Sequence, residues 1–167
     1  MTSQNPSSEN LQLIFNLFSR GKLKKTLSES NLMLKKFPNS IILLNISGAC
    51  NAGLLKFDSA IECYKKALEI NPNFADAFYN MGIAFKDKGD MKSAIENYEQ
   101  TLKVDPNYAA AYNNIGNVFL IEGSFDKSAE NYRNALKINP NFAEAHNNLG
   151  NALKHKGDLE SAIDSYQ

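Results

Sequence analysis

The chain has 167 residues, 43% hydrophobic and 22% charged, which fits an ordered protein of about one domain's length. Its 18 basic and 18 acidic side chains cancel. No basic stripe of the kind that neutralises phosphates is visible, so a nucleic-acid partner is not expected. The mild excess of six Lys/Arg over two Asp/Glu in residues 1–40 reads as solvated charge. The longest apolar clusters, Leu11 to Phe18 and Ile41 to Ile46, are broken by polar residues and too short to cross a bilayer. The leader Met1 to Ser8 lacks the basic start and apolar core of a signal peptide. Cys50 and Cys63 are too few for a secreted framework, so reduced, packed thiols and a cytoplasmic location are expected.

In chain order, residues 1–6 read as a disordered leader, followed by helical patterns over 8–20 and 22–37. Further pairs run over 40–54 and 57–70, 74–88 and 91–104, and 108–122 and 125–138. The last pattern pair covers 142–156 and 159 to the end. Prolines 38, 72, 106 and 140 stand 34 residues apart, each before Asn, where every second helix must stop. Gly21, Gly89, Gly123 and Gly157 keep the same beat, with Leu55 in the missing place, while Gly53 lies off it. A second ladder, Gly48, Gly82, Gly116 and Gly150, sits inside helical patterns, where glycine costs about 1 kcal/mol against alanine. Close helix–helix approach is the expected return. The stripe Phe78, Met81, Gly82, Phe85 recurs as Tyr112, Ile115, Gly116, Phe119 and as His146, Leu149, Gly150, Leu153. Small residues at 60, 94, 128 and 162 face tyrosines at 64, 98, 132 and 166, so knob and hole repeat together.

Over residues 41–167 this pattern resembles the tetratricopeptide repeat: apolar-Gly, an aromatic, then Ala, aromatic and Pro at a period of 34. The resemblance implies an all-α, right-handed superhelix, an α-solenoid of stacked antiparallel helix pairs with about four and a half to five units. Expected boundaries are 7–40 for a degenerate capping repeat, then 41–74, 75–108, 109–142, and an incomplete 143–167. The first of these places Ile14, Thr26 and Ser30 where the family prefers Gly, Ala and Tyr, and Ser47, Asn51 and Leu55 depart from the pattern in the second. The unfinished last repeat suggests a piece of a longer protein. It also suggests partly open apolar surface around Leu149, Leu153, Leu159 and Ile163.

The family's first helices line a concave surface, which makes their outer faces the candidate site. Residues two before the ladder glycine point nearly opposite the packing stripe, since each residue turns by about 100°. They are Ile46, Asn80, Asn114 and Asn148. Asn117 and Asn151 share that face, and Asn45, Asn113 and Asn147 sit three before the glycine, where the third repeat has Tyr79. Amides donate and accept, matching an extended peptide backbone. The row is similar to the asparagine ladder of the O-linked N-acetylglucosamine transferases, although such asparagines are also a family habit without a known ligand. Read as pointing away from the core, Asn80, Asn114 and Asn148 should tolerate alanine without loss of stability. Lys86 and Lys154 are either acidic-partner contacts or solvated charge. Ile42, Ile46, Ala49 and Ala52 make either an apolar subsite or, as expected here, a surface covered by the degenerate first pair.

The lysine and arginine clamp of chaperone-binding members is missing, since its places hold Asn45, Tyr79, Asn113 and Asn147. Neither a phosphate-binding loop nor a nucleophile elbow appears. His146 takes a core place, and His155 has no metal-ligand spacing to Cys or His. No enzyme activity, cofactor or metal is expected. The leading reading is a scaffold that binds an extended peptide or a partner helix. The alternatives are the recruiting arm of a larger glycosyltransferase- or sulfotransferase-type enzyme, and self-assembly into a homo-oligomer through exposed array ends.

Overall fold

The computed structural model describes residues 6–166, which form ten helices and no strand. Residues 1–5 of the expected leader lie outside that range, as does the side chain of Tyr166; Pro6 is buried. The chain divides into two compact units, up to Asp90 and from Met91, so the expected repeat 75–108 is shared between them.

The first unit holds α1 (Ser8–Ser19), α2 (Leu23–Leu34), α3 (Ile41–Gly53), α4 (Phe57–Ile70) and α5 (Ala75–Lys88). α2 stops three residues short of its expected end at 37. Phe37 turns back against the first core, beside Ile14, Leu43, Ile46 and Cys50, and the last turn unwinds to let it. That core covers the apolar face of α3: Ile46 is buried and Ile42 half-buried, as the covered reading expects. A second core joins Leu44, Ala60, Ile61, Tyr64, Ala67, Ala77, Met81 and Ala84.

The ladder glycine Gly48 leaves room for Tyr64, because a Cβ there would lie 2.4 Å from the ring. In the first repeat the sizes are exchanged. Ile14 stands in the glycine's place and Ser30 in the tyrosine's, and both are fully buried. Large and small thus stand on the opposite helices from those of the later pairs, and Ile14 joins the core with Leu43, Ile46 and Cys50 of α3. Gly53 has its own reason, since a Cβ would meet Leu23 of α2 at 2.7 Å.

Turns follow the same beat. Asn71 and, in the second unit, Asp105 and Asn139 each accept the N–H of the residue two ahead, at 3.0–3.2 Å. These side chains hold the backbone across the intervening proline, an Asx turn. The turn between first and second helix needs the left-handed conformation, and glycine supplies it at 21, 89, 123 and 157 (φ +67 to +92). Leu55 adopts it too, at φ 60, and is 75% exposed. A Cβ in that conformation costs about 1–2 kcal/mol. Leu55→Gly is therefore expected to raise stability by about 1 kcal/mol, with glycine's greater unfolded-state freedom offsetting part of the gain. A chemical denaturation midpoint that fails to rise would show that the strain is relieved elsewhere.

The second unit holds α6 (Met91–Val104), α7 (Ala109–Ile121), α8 (Phe125–Ile138), α9 (Ala143–Lys156) and α10 (Leu159–Tyr166). Its core joins Ala129, Tyr132, Leu149, Ala152, Leu153 and Ala162. The expected open surface is corrected here: Leu149 and Leu153 are buried under α8 and α10, and only Leu159 and Ile163 remain exposed. His155 stacks on Phe125 with ring centroids 5.1 Å apart, and His146 Nε2 lies 2.9 Å from the Pro140 carbonyl oxygen. Cys50 and Cys63 are free thiols, and burial pushes the pKa of Cys50 up to about 11. Among the described residues no helix is long and apolar enough to cross a membrane.

Candidate functional site

In the second unit the asparagines of α7 and α9 are brought into direct contact. Asn148 on α9 donates both Nδ2 hydrogens to α7, to Asn113 Oδ1 at 3.2 Å and Asn117 Oδ1 at 3.0 Å. Asn113 Nδ2 in turn donates to Glu144 Oε1 at 2.9 Å. The Tyr132 hydroxyl of α8 donates to Asn117 Oδ1 at 2.7 Å. Burial holds the pKa of that phenol up at about 12, so it remains a donor at neutral pH. Asn117 Nδ2 reaches Asn114 Oδ1 at 3.4 Å. Asn117 thus spends both acceptor sites and a donor within the protein, while Asn148 keeps its carbonyl oxygen as an acceptor.

The first unit repeats one rung of this network. Asn80 Nδ2 on α5 donates to Asn45 Oδ1 on α3 at 3.0 Å. The partners are 35 residues apart, as are Asn113 and Asn148, one period plus one. That interval is the sequence signal for the Asn45–Asn80 and Asn113–Asn148 pairs, whereas Glu144 joins the network at a different one, 31 residues from Asn113.

This geometry corrects the orientation read from the 100° turn. Asn114 is buried at 9% exposure and Asn113 at 2%, while Asn80, Asn117 and Asn148 are half-buried. The angular estimate treats each first helix as lying on its own helix pair alone. In the structure α7 also touches α9, and α3 touches α5, so the side away from the second helix meets the next repeat. Amide groups suit that seam, because a buried polar group is tolerated when it is hydrogen-bonded. Alanine at these positions is therefore expected to cost stability, contrary to the tolerance expected from the sequence.

Solvent meets a different subset of the expected residues. Asn147 and Asn151 on α9 are exposed, and so is Lys154 one turn further on. In the first unit Tyr79 is half-buried, and Lys86 is half-buried with its ammonium 3.5 Å from the Asp87 carboxylate. Among the described residues no group of His, Cys, Asp and Glu could hold a metal ion. What the arrangement offers chemically is a row of neutral donors and acceptors fixed by their own bonds.

A model of the TPR repeat family matches residues 56–89, 84–121 and 116–157. The chain is 33% identical over 89 residues to SEC, a probable UDP-N-acetylglucosamine–peptide N-acetylglucosaminyltransferase of Arabidopsis thaliana. That stretch is 53% of this chain but 9% of the transferase, so the chain spans under a tenth of this relative. Among solved structures it is similar to MamA at TM-score 0.79 and 24% identity, over 95% of this chain and 87% of the other. It is also similar to YrrB, described as a TPR protein with an unusual peptide-binding site, at TM-score 0.70 and 19% identity, over 96% and 82%. Both structural likenesses concern the fold.

Proposed function

Because the chain belongs to the TPR repeat family, we propose that it is a non-enzymatic protein–protein interaction scaffold that holds an extended peptide or a partner helix on the asparagine-bearing side of its first helices. The observation that carries this reading is the amide network joining α7 to α9, with Asn147 and Asn151 exposed on the same helix as Asn148. Groups already held in place lose little freedom when a ligand binds, which favours affinity. Two tasks are divided among the ten candidate residues. Asn80, Asn113, Asn114, Asn117 and Asn148 form the amide contacts within each unit, and half-buried Asn148 uses its Nδ2 there. Asn147, Asn151 and Lys154 are the ligand-contacting candidates of the second unit, and Tyr79 and Lys86 those of the first. YrrB's peptide-binding site gives a precedent for peptide recognition on this fold.

The test begins with peptides selected by display against the whole chain, titrated calorimetrically into three proteins. Asn147→Ala with Asn151→Ala removes exposed amides, each worth about 0.5–1.5 kcal/mol if bonded to the ligand, so affinity should fall roughly fivefold to a hundredfold while the melting curve shows that the variant still folds. Asn148→Ala should behave differently and lose about 1–2 kcal/mol of stability, because it strips two interhelical bonds at a half-buried seam. Undiminished affinity in the double variant, or no selectable peptide, would sink the proposal.

A second reading has one observation in its favour, the likeness to a stretch of a peptide-modifying transferase. On that reading the same surface recruits protein substrates to a catalytic domain in the same polypeptide. The reading frame of the gene decides it: a single-domain product would exclude it.

A further inference from the structure

The starts of α2 and α4 break several local rules at one corner of the first unit. Lys22 and Lys56 occupy their N-cap positions, and neither makes a side-chain capping hydrogen bond. Unpaired N–H groups and the helix dipole favour Ser, Asp or Asn there and disfavour a cation. The same places in the later repeats hold Asp90, Ser124 and Asp158, and Asp158 Oδ1 accepts from Ser161 N at 3.2 Å. Lys24 and Lys25 crowd two more cations into the first turn of α2. Beside them Leu55 takes the strained left-handed place and stands 75% exposed. Each choice costs stability locally, and Leu55 and the four lysines are exposed. Local rules broken together mark a functional position more often than chance placement.

The surface has a matching shape. Leu54 and Lys24 both line two adjoining depressions, of about 440 and 370 Å³. The first is bordered by Lys22 and Lys25, the second by Lys56. All four lysines are exposed, no carboxylate lines either depression, and among the described residues none of the four is in an ion pair.

We infer that this corner is a docking site, separate from the asparagine row, for an acidic segment of a partner protein. The segment seats an apolar side chain beside Leu54 and Leu55 and sets its carboxylates against Lys22, Lys24, Lys25 and Lys56. Carboxylates offset the cations gathered at two helix starts, and the apolar side chain takes the exposed leucine out of water. A phosphate backbone would use the lysines and leave the leucine unanswered. A bilayer surface would take up Leu55 but leave the depressions beside Leu54 unfilled, whereas an apolar side chain of a peptide enters them and covers Leu55 as well.

The test uses a short synthetic peptide of glutamates and aspartates around a central leucine, titrated into the isotopically labelled full chain. Backbone amide shifts should concentrate at Gly21–Lys25 and Leu54–Lys56. Lys24→Glu with Lys56→Glu should weaken binding roughly tenfold or more, as should Leu55→Gly, which leaves the turn with the residue the other repeats use. Melting curves of both variants establish that they fold. The inference is overturned by an absence of shifts at roughly millimolar peptide, by shifts centred elsewhere, or by full affinity in Leu55→Gly. It is equally overturned if phosphatidylserine vesicles or a single-stranded oligonucleotide perturb these amides more strongly than the peptide, since the corner then serves a lipid or a nucleic acid.

Discussion

Gly116→Leu should destabilise the protein by about 3 kcal/mol or more, at the upper end of what overpacking costs. The first atom of any side chain already decides this. A Cβ on Gly116 would stand 2.6 Å from Cε1 of Tyr132 and 2.8 Å from Cδ1. The ring cannot swing clear, because Tyr132 is fully buried and its hydroxyl is tied to Asn117. The carbonyl of Gly116 is fixed as well, by the Ser128 hydroxyl at 2.9 Å. For a chain of this length the loss corresponds to a fall of roughly 6–12 °C in melting temperature. A second variant separates crowding from other causes. Gly116→Ile combined with Tyr132→Ser copies the exchange found at Ile14 and Ser30, and should recover part of the lost stability. If the single variant melts as the parent does, the contact is not close; if the double variant is no better than the single, size exchange is not what holds the first repeat together.

Tyr132→Ala should cost about 3–5 kcal/mol, the range for emptying a large aromatic site in a core. Tyr132 packs with Ala129, Leu149, Ala152 and Leu153, so its removal opens the interface between α8 and α9. Tyr132→Phe keeps the ring and deletes the hydroxyl with its bond to Asn117, which should cost about 0.5–1.5 kcal/mol. The phenol also predicts a pH dependence. Its folded pKa of about 12 stands above the ordinary value near 10, with burial as the main cause. The folded state therefore favours the neutral form, and its contribution is complete below about pH 10 and is lost as pH rises toward about 12. Tyr64 is raised in the same sense by the same cause. Denaturation curves across that interval should fall less steeply for Tyr132→Phe than for the parent. Equal slopes, or a loss under about 1 kcal/mol for the alanine variant, would contradict the packing described here.

Helix positions and turns were legible because they depend on short-range chemistry. A proline ends a helix wherever it stands, and a glycine after the last turn supplies a conformation that other residues resist. The expected spans of α4, α6 and α8 match the observed ones, and most other helix ends differ by a residue at most. α2 differs more because Phe37 has a tertiary contact that no local signal announces. Leu55 was visible as a break in the glycine ladder, but its left-handed backbone and exposure came only from the structure.

By itself the sequence determined the period, the helix pairing and the ladder glycines' role, since each follows from the size or backbone freedom of one residue at a fixed interval. The tertiary structure decided where the amides went. A helix seen alone has one packed side and one free side, and on that basis Asn114 and Asn148 faced water. Laying α9 against α7 creates a second packed side, and the amides there became the bonds between repeats. Such bonds join residues 31 and 35 positions apart, where the partner depends on how far one helix is shifted along another. That shift is set by the whole interface, including the fit of Tyr132 over Gly116, and no single residue encodes it.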